Sequence, residues 1–476
     1  MLLPFVRPLF TGGRLNFHSP AQEQKPMREH SGLLTDLYEL TMAAGYLQTH
    51  FEARATFELF VRHLPPHRSY LVAAGLEQAL GFLENVNFNP EEIEYLRRHQ
   101  AFRYIRPEFF DYLARFRFTG DVWAMPEGTL VFPGEPMLRI TAPIIEAQIM
   151  ETYLLATMSY QTMIASKASR LVTAAQGREV VDFGARRAHG SEAGLFAARA
   201  AAIGGCAGTS NVLAGQQFGI ATYGTQAHSW VMAHDEEAAA FRNFLDAFPD
   251  HSVLLLDTYN VHNAVREIIS AGRRPAGVRL DSGDLVKDSR WVRRELDRAG
   301  WKDVSVFASG DLNELRIAKL IDRGAAINGF GVGTALATPG DAPHLNLIYK
   351  LVEVERNGRV IEAAKLTRAK TTYPGRKQVL RYSNRSGEFR KDKIVLESES
   401  EEGAEHLLAQ VMREGKRLAA PETVLALRAR CLAAVARLPK RYRQLRHTAV
   451  YPVSYSKRVN GLLDEIRRRV KRSAAQ

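Results

Sequence analysis

Short apolar runs recur through the middle of the chain, and most of them end beside a glycine and a charged or hydroxyl-bearing residue. Stretches with helical periodicity, such as 236–248 and 286–299, separate most of these runs. This alternation predicts a parallel α/β sheet whose strands all place their carboxyl ends on one side. Polar side chains should therefore converge there, where active sites form in barrels. Seven strands are predicted: 180–184, 205–210, 221–228, 253–257, 278–284, 306–311 and 329–334.

The segments before and after this region predict a second domain that mixes helices and strands. A strand is predicted at 55–62, helices at 33–47, 71–86 and 90–99, and a helix at 143–160 that leads into the parallel sheet. Strands return after the last parallel strand, so this α+β domain is expected to use both ends of the chain. The predicted units are an unassigned N-terminal extension (1–30), the α+β domain (31–142 and 345–435), the α/β barrel domain (143–344) and a basic tail (436–476).

Positive charge is concentrated near the C-terminus. The formal net charge is +12, and residues 437–476 carry twelve Lys or Arg against Asp464 and Glu465. A basic tail can contact nucleic acid or acidic lipid, but a tail without aromatic interleaving is more often a solvated terminal helix. We therefore expect neither a nucleic-acid partner nor a membrane partner.

The cysteine content and the N-terminal residues bear on the cellular compartment of the protein. Cys206 and Cys431 are the only cysteines, which excludes a disulfide framework and a cysteine zinc site and fits a reducing, cytoplasmic setting. No apolar stretch approaches the roughly 20 residues that span a bilayer. The first 22 residues contain basic residues and no acid, as a transit peptide does, but their prolines would break an amphipathic helix. We favour an upstream start codon, with the structured protein beginning near Met27.

Two Ser-Gly-Asp triplets, 282–284 and 309–311, follow successive predicted strands and precede successive helices. Glycine lets the backbone approach a ligand closely, and the amides at a helix start favour an anion. One triplet alone would be ordinary turn and cap chemistry, but a third glycine loop at 329–334 makes phosphate the better explanation. The predicted phosphate-binding residues are Ser282, Gly283, Gly310, Asp311, Gly331, Gly333 and Thr334.

Charged residues at two other strand ends could hold the rest of an anionic ligand. Arg279 and Asp281 lie two residues apart on one strand and face the same way. The arginine could hold an anion, and the aspartate a ribose hydroxyl pair or magnesium; the alternative is a structural ion pair with a helix cap. Phe183 and Arg186 could stack on and neutralise a flat anion, although an arginine doublet with Arg187 is more commonly a surface pair.

His228 ends the predicted strand 221–228 and lies on the same face. A lone histidine is usually a satisfied core or surface group, and no zinc pattern or ordered Ser/His/Asp set accompanies it. A neutral imidazole beside phosphate loops could instead serve as a nucleophile or a base. The residue chemistry leaves both readings open and does not identify metal ligands.

Together these motifs closely resemble those of the nicotinate phosphoribosyltransferases, of the type II phosphoribosyltransferase family. The resemblance extends over about residues 30–450. It implies an irregular seven-stranded α/β barrel with a second α/β domain. The segments that carry it are 34–42, 182–187, 208–211, 224–229, 279–284 and the glycine loops at 310 and 331–334.

The resemblance also implies a reaction. Nicotinate and phosphoribosyl pyrophosphate would give nicotinate mononucleotide and pyrophosphate, with ATP hydrolysed as a co-substrate and Mg²⁺ as cofactor. His228 would be the residue that ATP phosphorylates transiently.

The family's substrate-binding residues map onto this chain one by one. Phe183 and Arg186 would hold the pyridine ring, with Tyr38 of a neighbouring subunit on its other face, so a homodimer with shared sites is implied. Arg279 would lie near the substrate, and Asp281 near the ribose hydroxyls.

Three rival functions have distinguishing features. Nicotinamide phosphoribosyltransferases resemble this chain but have an aspartate where it has Ser210, and serine favours an acid over an amide. Quinolinate phosphoribosyltransferases should lack the motif around His228. A sugar-phosphate-binding regulator would keep the glycine loops but would have no need of a phosphorylatable histidine.

Overall fold

The computed structural model describes residues 28–367, 370–446 and 449–473. Most of the predicted N-terminal extension and the question of Met27 as the start therefore lie outside the described residues. The helices are Leu37–Gln48 (α1), Leu76–Asn85 (α2), Pro90–Arg98 (α3), Pro107–Ala114 (α4), Ile144–Ile149 (α5), Glu151–Ala175 (α6), Ser191–Ile203 (α7), Val212–Phe218 (α8), His228–Met232 (α9), Glu237–Ala247 (α10), Val261–Ser270 (α11), Leu285–Arg298 (α12), Glu314–Asp322 (α13), Thr334–Ala337 (α14), Val424–Arg437 (α15) and Lys457–Ser473 (α16).

The strands form four sheets. They are Arg54–Val61 (β1), Leu71–Val72 (β2), Asp121–Ala124 (β3), Leu130–Val131 (β4), Pro136–Pro143 (β5), Glu179–Asp182 (β6), Gly208–Thr209 (β7), Val253–Leu255 (β8), Gly277–Leu280 (β9), Ser305–Ala308 (β10), Gly329–Val332 (β11), Leu347–Arg356 (β12), Arg359–Glu362 (β13), Lys377–Ser383 (β14), Phe389–Leu396 (β15), Glu405–His406 (β16), Ala409–Arg413 (β17), Lys416–Arg417 (β18) and Val453–Tyr455 (β19).

The predicted parallel α/β sheet is present, with the strand order β7-β6-β11-β10-β9-β8. Every strand pair in it is parallel. A helix follows each strand, so the polar carboxyl ends lie on one side of the sheet, as the sequence predicts. All four residues of β11 and three of the four in β9 are buried, which is typical of a parallel sheet covered on both faces.

The predicted strand at 221–228 is not a regular strand. Its one bridge joins Thr222 to Thr209 at the β7 edge, and near the β8 edge the backbone amide of Gln226 donates to the carbonyl of Val253 at 3.2 Å. The Gln226 side-chain oxygen, rather than a backbone oxygen, accepts from the amide of Leu255 at 3.2 Å, which interrupts a regular ladder. His228 already begins α9. The sheet therefore has six regular strands, and closure into a seven-stranded barrel remains a prediction.

Two predicted helices have different bounds. The first residues of the predicted helix 71–86 form β2, because Leu71 and Val72 pair with the two residues of β4, and α2 begins only after Gly75. The predicted helix 143–160 is two consecutive helices, α5 and the 25-residue α6. The prediction for 90–99 is confirmed by α3, where Asn89 and Glu92 form a capping box.

The second large sheet has the order β13-β12-β1-β5-β3-β17-β18 and so combines strands from both sides of the parallel sheet in the sequence. Strand β1 is an interior strand of this sheet, paired antiparallel with β12 and β5. A four-stranded sheet, β16-β14-β15-β19, is formed entirely from the C-terminal third. The domain boundaries drawn from the sequence remain predictions.

The basic tail contains an amphipathic helix. Val459, Leu463 and Ile466 of α16 are buried, while its Lys and Arg residues are exposed. This arrangement agrees with the prediction of a solvated terminal helix. Within the described ranges, no helix is both long and apolar enough to cross a bilayer.

Candidate active site

A cavity of about 480 Å³ opens at the carboxyl ends of β6, β11, β10 and β9. Three predicted site residues, Tyr38, Ser210 and His228, do not line it. The other eleven do: Phe183, Arg186, Arg279, Asp281, Ser282, Gly283, Gly310, Asp311, Gly331, Gly333 and Thr334.

Two glycines let the backbone close around this cavity. Gly310 has φ of +86°, and a Cβ atom there would lie 1.8 Å from the carbonyl oxygen of Asp281. At Gly331 a Cβ atom would lie 2.5 Å from the ring of Phe183. Neither position can carry a side chain without a shift of the neighbouring strand end or ring.

Arg279 connects the strand ends on one side of the cavity. Its guanidinium donates to Ser309 Oγ at 2.8 Å, to Thr225 Oγ1 at 2.8 Å and to Asp281 Oδ1 at 2.6 Å. The same group lies 5.7 Å from the ring centroid of Phe183. The ion pair that the sequence offered as an alternative is thus present, but it faces the cavity.

Asp281 is an ionised carboxylate at neutral pH. Burial alone would raise its pKa, but hydrogen bonds from Ser309 and Arg279, together with the arginine charge, lower it. Asp281 does not cap α12, because that role belongs to Asp284, whose side chain accepts from the amides of Val286 and Lys287. The carboxylate of Asp281 is therefore available to a ligand.

His228 lies at the edge of this group, as the first residue of α9. Its Nε2 is 4.0 Å from Asp281 Oδ2, and its Nδ1 is 3.2 Å from Thr258 Oγ1. The His228 side chain is 44% exposed. It is therefore neither a buried core histidine nor, within the described ranges, part of a metal-holding group of three or more His, Cys, Asp or Glu residues.

Asp257 and Thr258 follow β8 and were missed as site residues in the sequence. Asp257 Oδ2 accepts from the amide of Asp281 at 3.1 Å and from Ser282 Oγ at 2.5 Å, while its Oδ1 is buried and has no hydrogen-bond partner among the described residues. An aspartate at the carboxyl end of a predicted strand was the available signal, but no glycine follows it. Three further residues, Arg187, Ser309 and Arg316, also line the cavity.

Ser210 follows β7 and lies near Phe183, the aromatic residue that lines the cavity. The β6–β7 register pairs Asp182 with Thr209, so the next residues, Phe183 and Ser210, lie on adjacent strand ends. The amide of Ser210 donates to the carbonyl of Asp182 at 2.8 Å. Asp182 itself is structural, because its carboxylate is buried and accepts from Gly184 and Thr209.

Tyr38 is not brought to the cavity of its own chain. It lies on α1 with 47% of its surface exposed, beside Leu37 (47%) and Met42 (36%). An exposed apolar face of this kind on a helix is a candidate contact for another protein surface.

Comparisons with known proteins agree along almost the whole chain. Residues 33–159 match the nicotinate phosphoribosyltransferase N-terminal domain model, residues 178–393 the nicotinate phosphoribosyltransferase family model and residues 401–463 its C-terminal domain model. The sequence is 45% identical to nicotinate phosphoribosyltransferase pncB2 of Mycobacterium tuberculosis, over 93% of this chain and 95% of that protein. It is 42% identical to the nicotinate phosphoribosyltransferase of Bacillus subtilis, over 74% of each chain.

The fold is similar to that of a solved structure of human nicotinic acid phosphoribosyltransferase. The TM-score is 0.80 at 28% sequence identity, and the superposition covers 90% of this chain and 99% of the human one.

Proposed function

This chain belongs to the nicotinate phosphoribosyltransferase family, and on that premise we propose that it joins nicotinate to phosphoribosyl pyrophosphate with ATP as a co-substrate. The observation that carries the proposal is the position of His228, 4.0 Å from the ionised Asp281 at the edge of the glycine-lined cavity. A protein that only binds a sugar phosphate has no use for an exposed imidazole there.

Different residues of the cavity would bind different parts of the two substrates. The loops at Gly310 and Gly331–Thr334 would hold phosphate, and Asp281 would accept hydrogen bonds from the ribose hydroxyls. Phe183 and Arg186 would hold the nicotinate ring and neutralise its carboxylate. The ring nitrogen would attack the anomeric carbon while the bond to pyrophosphate breaks, so most of the catalysis comes from positioning and charge neutralisation.

ATP would enter the cycle through His228. Because Nδ1 contacts Thr258, Nε2 is the nitrogen left to receive the γ-phosphoryl group as ADP departs. The negative charge of the phosphoryl group would rearrange the contacts of Asp281 and Arg279. This rearrangement would tighten the binding of the sugar phosphate. Water would later cleave the phosphohistidine and release inorganic phosphate.

We also propose that the segment 221–226 completes the barrel as a seventh, irregular strand.

The carboxylates present fit a magnesium ion. Asp257 Oδ1 is buried and has no hydrogen-bond partner in the part of the chain that the structure describes, and Asp281 carries a charge at neutral pH, so these two side chains would hold the ion. Mg²⁺ binds through one or two carboxylates plus substrate phosphates and water, and when bound it would neutralise pyrophosphate. Arg279 and the phosphate loops orient the sugar phosphate beside these carboxylates.

The first test is product formation. We expect the purified protein, given nicotinate, phosphoribosyl pyrophosphate and Mg²⁺, to form nicotinate mononucleotide and pyrophosphate in equal amounts, measured by chromatography and a pyrophosphate assay. Nicotinamide in place of nicotinate should give far less product. A protein that binds phosphoribosyl pyrophosphate but releases no pyrophosphate would be a sugar-phosphate regulator instead.

Ser210→Asp should change the substrate preference. Nicotinate is an anion at neutral pH and nicotinamide is not, so an aspartate beside Phe183 would repel the first and accept a hydrogen bond from the second. A hydrogen bond to a charged group is worth about 1.5–3 kcal/mol, so the preference for nicotinate should fall by at least about tenfold. The readout is the ratio of kcat/KM for the two substrates, with Ser210→Asn as the uncharged control. An unchanged ratio in folded Ser210→Asp protein would place Ser210 away from the ring carboxylate.

A homodimer would bring Tyr38 to the site of the neighbouring subunit. The exposed face of Leu37, Tyr38 and Met42 on α1 supports this proposal. Tyr38→Ala and Arg279→Ala proteins should each be nearly inactive. Randomly mixed, they should regain up to about a quarter of wild-type sites, because half of the dimers are mixed and one site in each then carries neither substitution. Failure to recover activity after demonstrated subunit exchange would mean that each site is built from one chain.

A further inference from the structure

A second cavity, of about 350 Å³, lies behind the phosphate loops. We name it the Lys167 pocket; its charged lining consists of Lys167, Arg170, Glu314, Asp341 and Arg446, together with His67. Glu314 begins α13, three residues after Asp311. Asp341 follows the loop of Thr334 by seven residues. The pocket thus shares two chain segments with the active-site cavity but none of its lining residues.

Buried cations outnumber carboxylates at this pocket. Lys167 Nζ lies 2.6 Å from Glu314 Oε2 and 3.0 Å from Asp341 Oδ1. Arg170 also pairs with Glu314 at 3.0 Å, and Arg68 with Asp341 at 2.9 Å. Three cations therefore share two carboxylates. The side chains of all three cations are at most 9% exposed.

Even with both carboxylates ionised, the three cations leave one positive charge uncompensated. Burial opposes ionisation of Glu314, but Lys167 and Arg170 hold its pKa below the usual value. Burial likewise opposes ionisation of Asp341, but Arg68 and Lys167 lower its pKa to about 2. An uncompensated buried positive charge is unfavourable unless an anion accompanies it.

Hydrogen-bond donors remain for such an anion. The ammonium of Lys167 has three N–H groups and two carboxylate partners. Arg68 pairs with Asp341 but does not line the pocket, so it adds charge to the cluster and no donor to the cavity. Arg170 uses three of its five N–H groups, on Glu314, the carbonyl of His67 and the carbonyl of Leu445.

We propose that the Lys167 pocket is a second anion site, which binds a phosphate group, either free or as a small phosphomonoester. An occupied pocket would balance the third cation. It would also fix Glu314 and Asp341, and through them the two phosphate loops of the active-site cavity. Lys167 is the deciding residue, since without it Arg170 pairs with Glu314 and Arg68 with Asp341 one to one.

Opposite substitutions should change phosphate affinity in opposite directions. Calorimetric titration of the full-length protein with inorganic phosphate should show one binding event fewer in Lys167→Met than in wild type. Asp341→Asn, at a carboxylate whose side chain is 41% exposed, should tighten the same event by about tenfold, because it leaves one more cation unpaired. A parallel titration with methyl phosphate identifies the source, since tighter binding of the ester would indicate a phosphomonoester.

The control is Glu127→Gln, in a buried pair where Arg199 meets Glu127 one to one at 2.6 Å; it should leave phosphate binding unchanged. Phosphate that binds in the active-site cavity contributes equally to the titrations of all these proteins, so the difference between them reports on the Lys167 pocket alone. The test is therefore independent of whether the protein transfers phosphoribosyl groups. Equal phosphate affinity and stoichiometry in wild type and Asp341→Asn, or in wild type and folded Lys167→Met, would overturn the proposal. The ion pairs that line the Lys167 pocket would then have a structural role alone.

Discussion

Gly310→Ala is expected to lower kcat/KM for phosphoribosyl transfer by at least about a hundredfold, because displacements of about 1 Å at reacting groups have effects of that size. The new Cβ atom would lie 1.8 Å from the carbonyl oxygen of Asp281, so either the loop 309–311 or the end of β9 must shift. Both carry predicted substrate contacts. The measurement is steady-state kinetics, with circular dichroism to verify the fold.

Gly177→Ala is the matched control for this substitution. Gly177 has φ of +87°, almost the value of +86° at Gly310, but a Cβ atom there would meet nothing within 4 Å. Both variants therefore incur the backbone cost of a left-handed conformation, about 1–2 kcal/mol, and only Gly310→Ala incurs the collision. Similar kinetic losses in the two variants would show that the close approach of the two loops does not matter for activity.

The position of the glycine loops at one cavity was predictable, because each loop directly follows its strand in the sequence. The α/β alternation predicts a parallel sheet, and the carboxyl ends of parallel strands lie on one side, so the loops at Gly310 and Gly331 were expected near each other. Arg279 and Asp281 were expected on one face because they lie two residues apart on one strand. These residues were therefore found before any distance was known.

Residues whose role depends on distant contacts were not predictable. Asp257 ends the predicted strand 253–257 but no glycine follows it, and only the structure reveals its hydrogen bonds with Asp281 and Ser282. Lys167 lies beyond the end of the predicted helix 143–160, and its partners Glu314 and Asp341 are more than a hundred residues away in the sequence. Likewise, β2 was taken for helix because its pairing with β4 is not visible in local periodicity.

His228→Ala is expected to abolish ATP hydrolysis while leaving slow, ATP-independent synthesis of nicotinate mononucleotide. Alanine removes the only imidazole within 4.0 Å of Asp281 among the described residues and leaves the cavity lining unchanged, because His228 is not part of it. The half-exposed side chain contributes little packing, so the fold should survive. His234→Ala is the control: His234 lies just after α9, where its Nδ1 contacts the carbonyl of Trp230 at 2.8 Å.

The most direct measurement follows ADP release and nicotinate mononucleotide formation in one reaction, with and without ATP, for wild type, His228→Ala and His234→Ala. We predict that ATP lowers the apparent KM for phosphoribosyl pyrophosphate in wild type and His234→Ala, with ADP released during synthesis. In His228→Ala we predict the same slow synthesis with or without ATP, and ADP release at background. Full ATP stimulation with ADP release in His228→Ala would contradict a phosphorylated His228 and the ATP-coupled mechanism built on it.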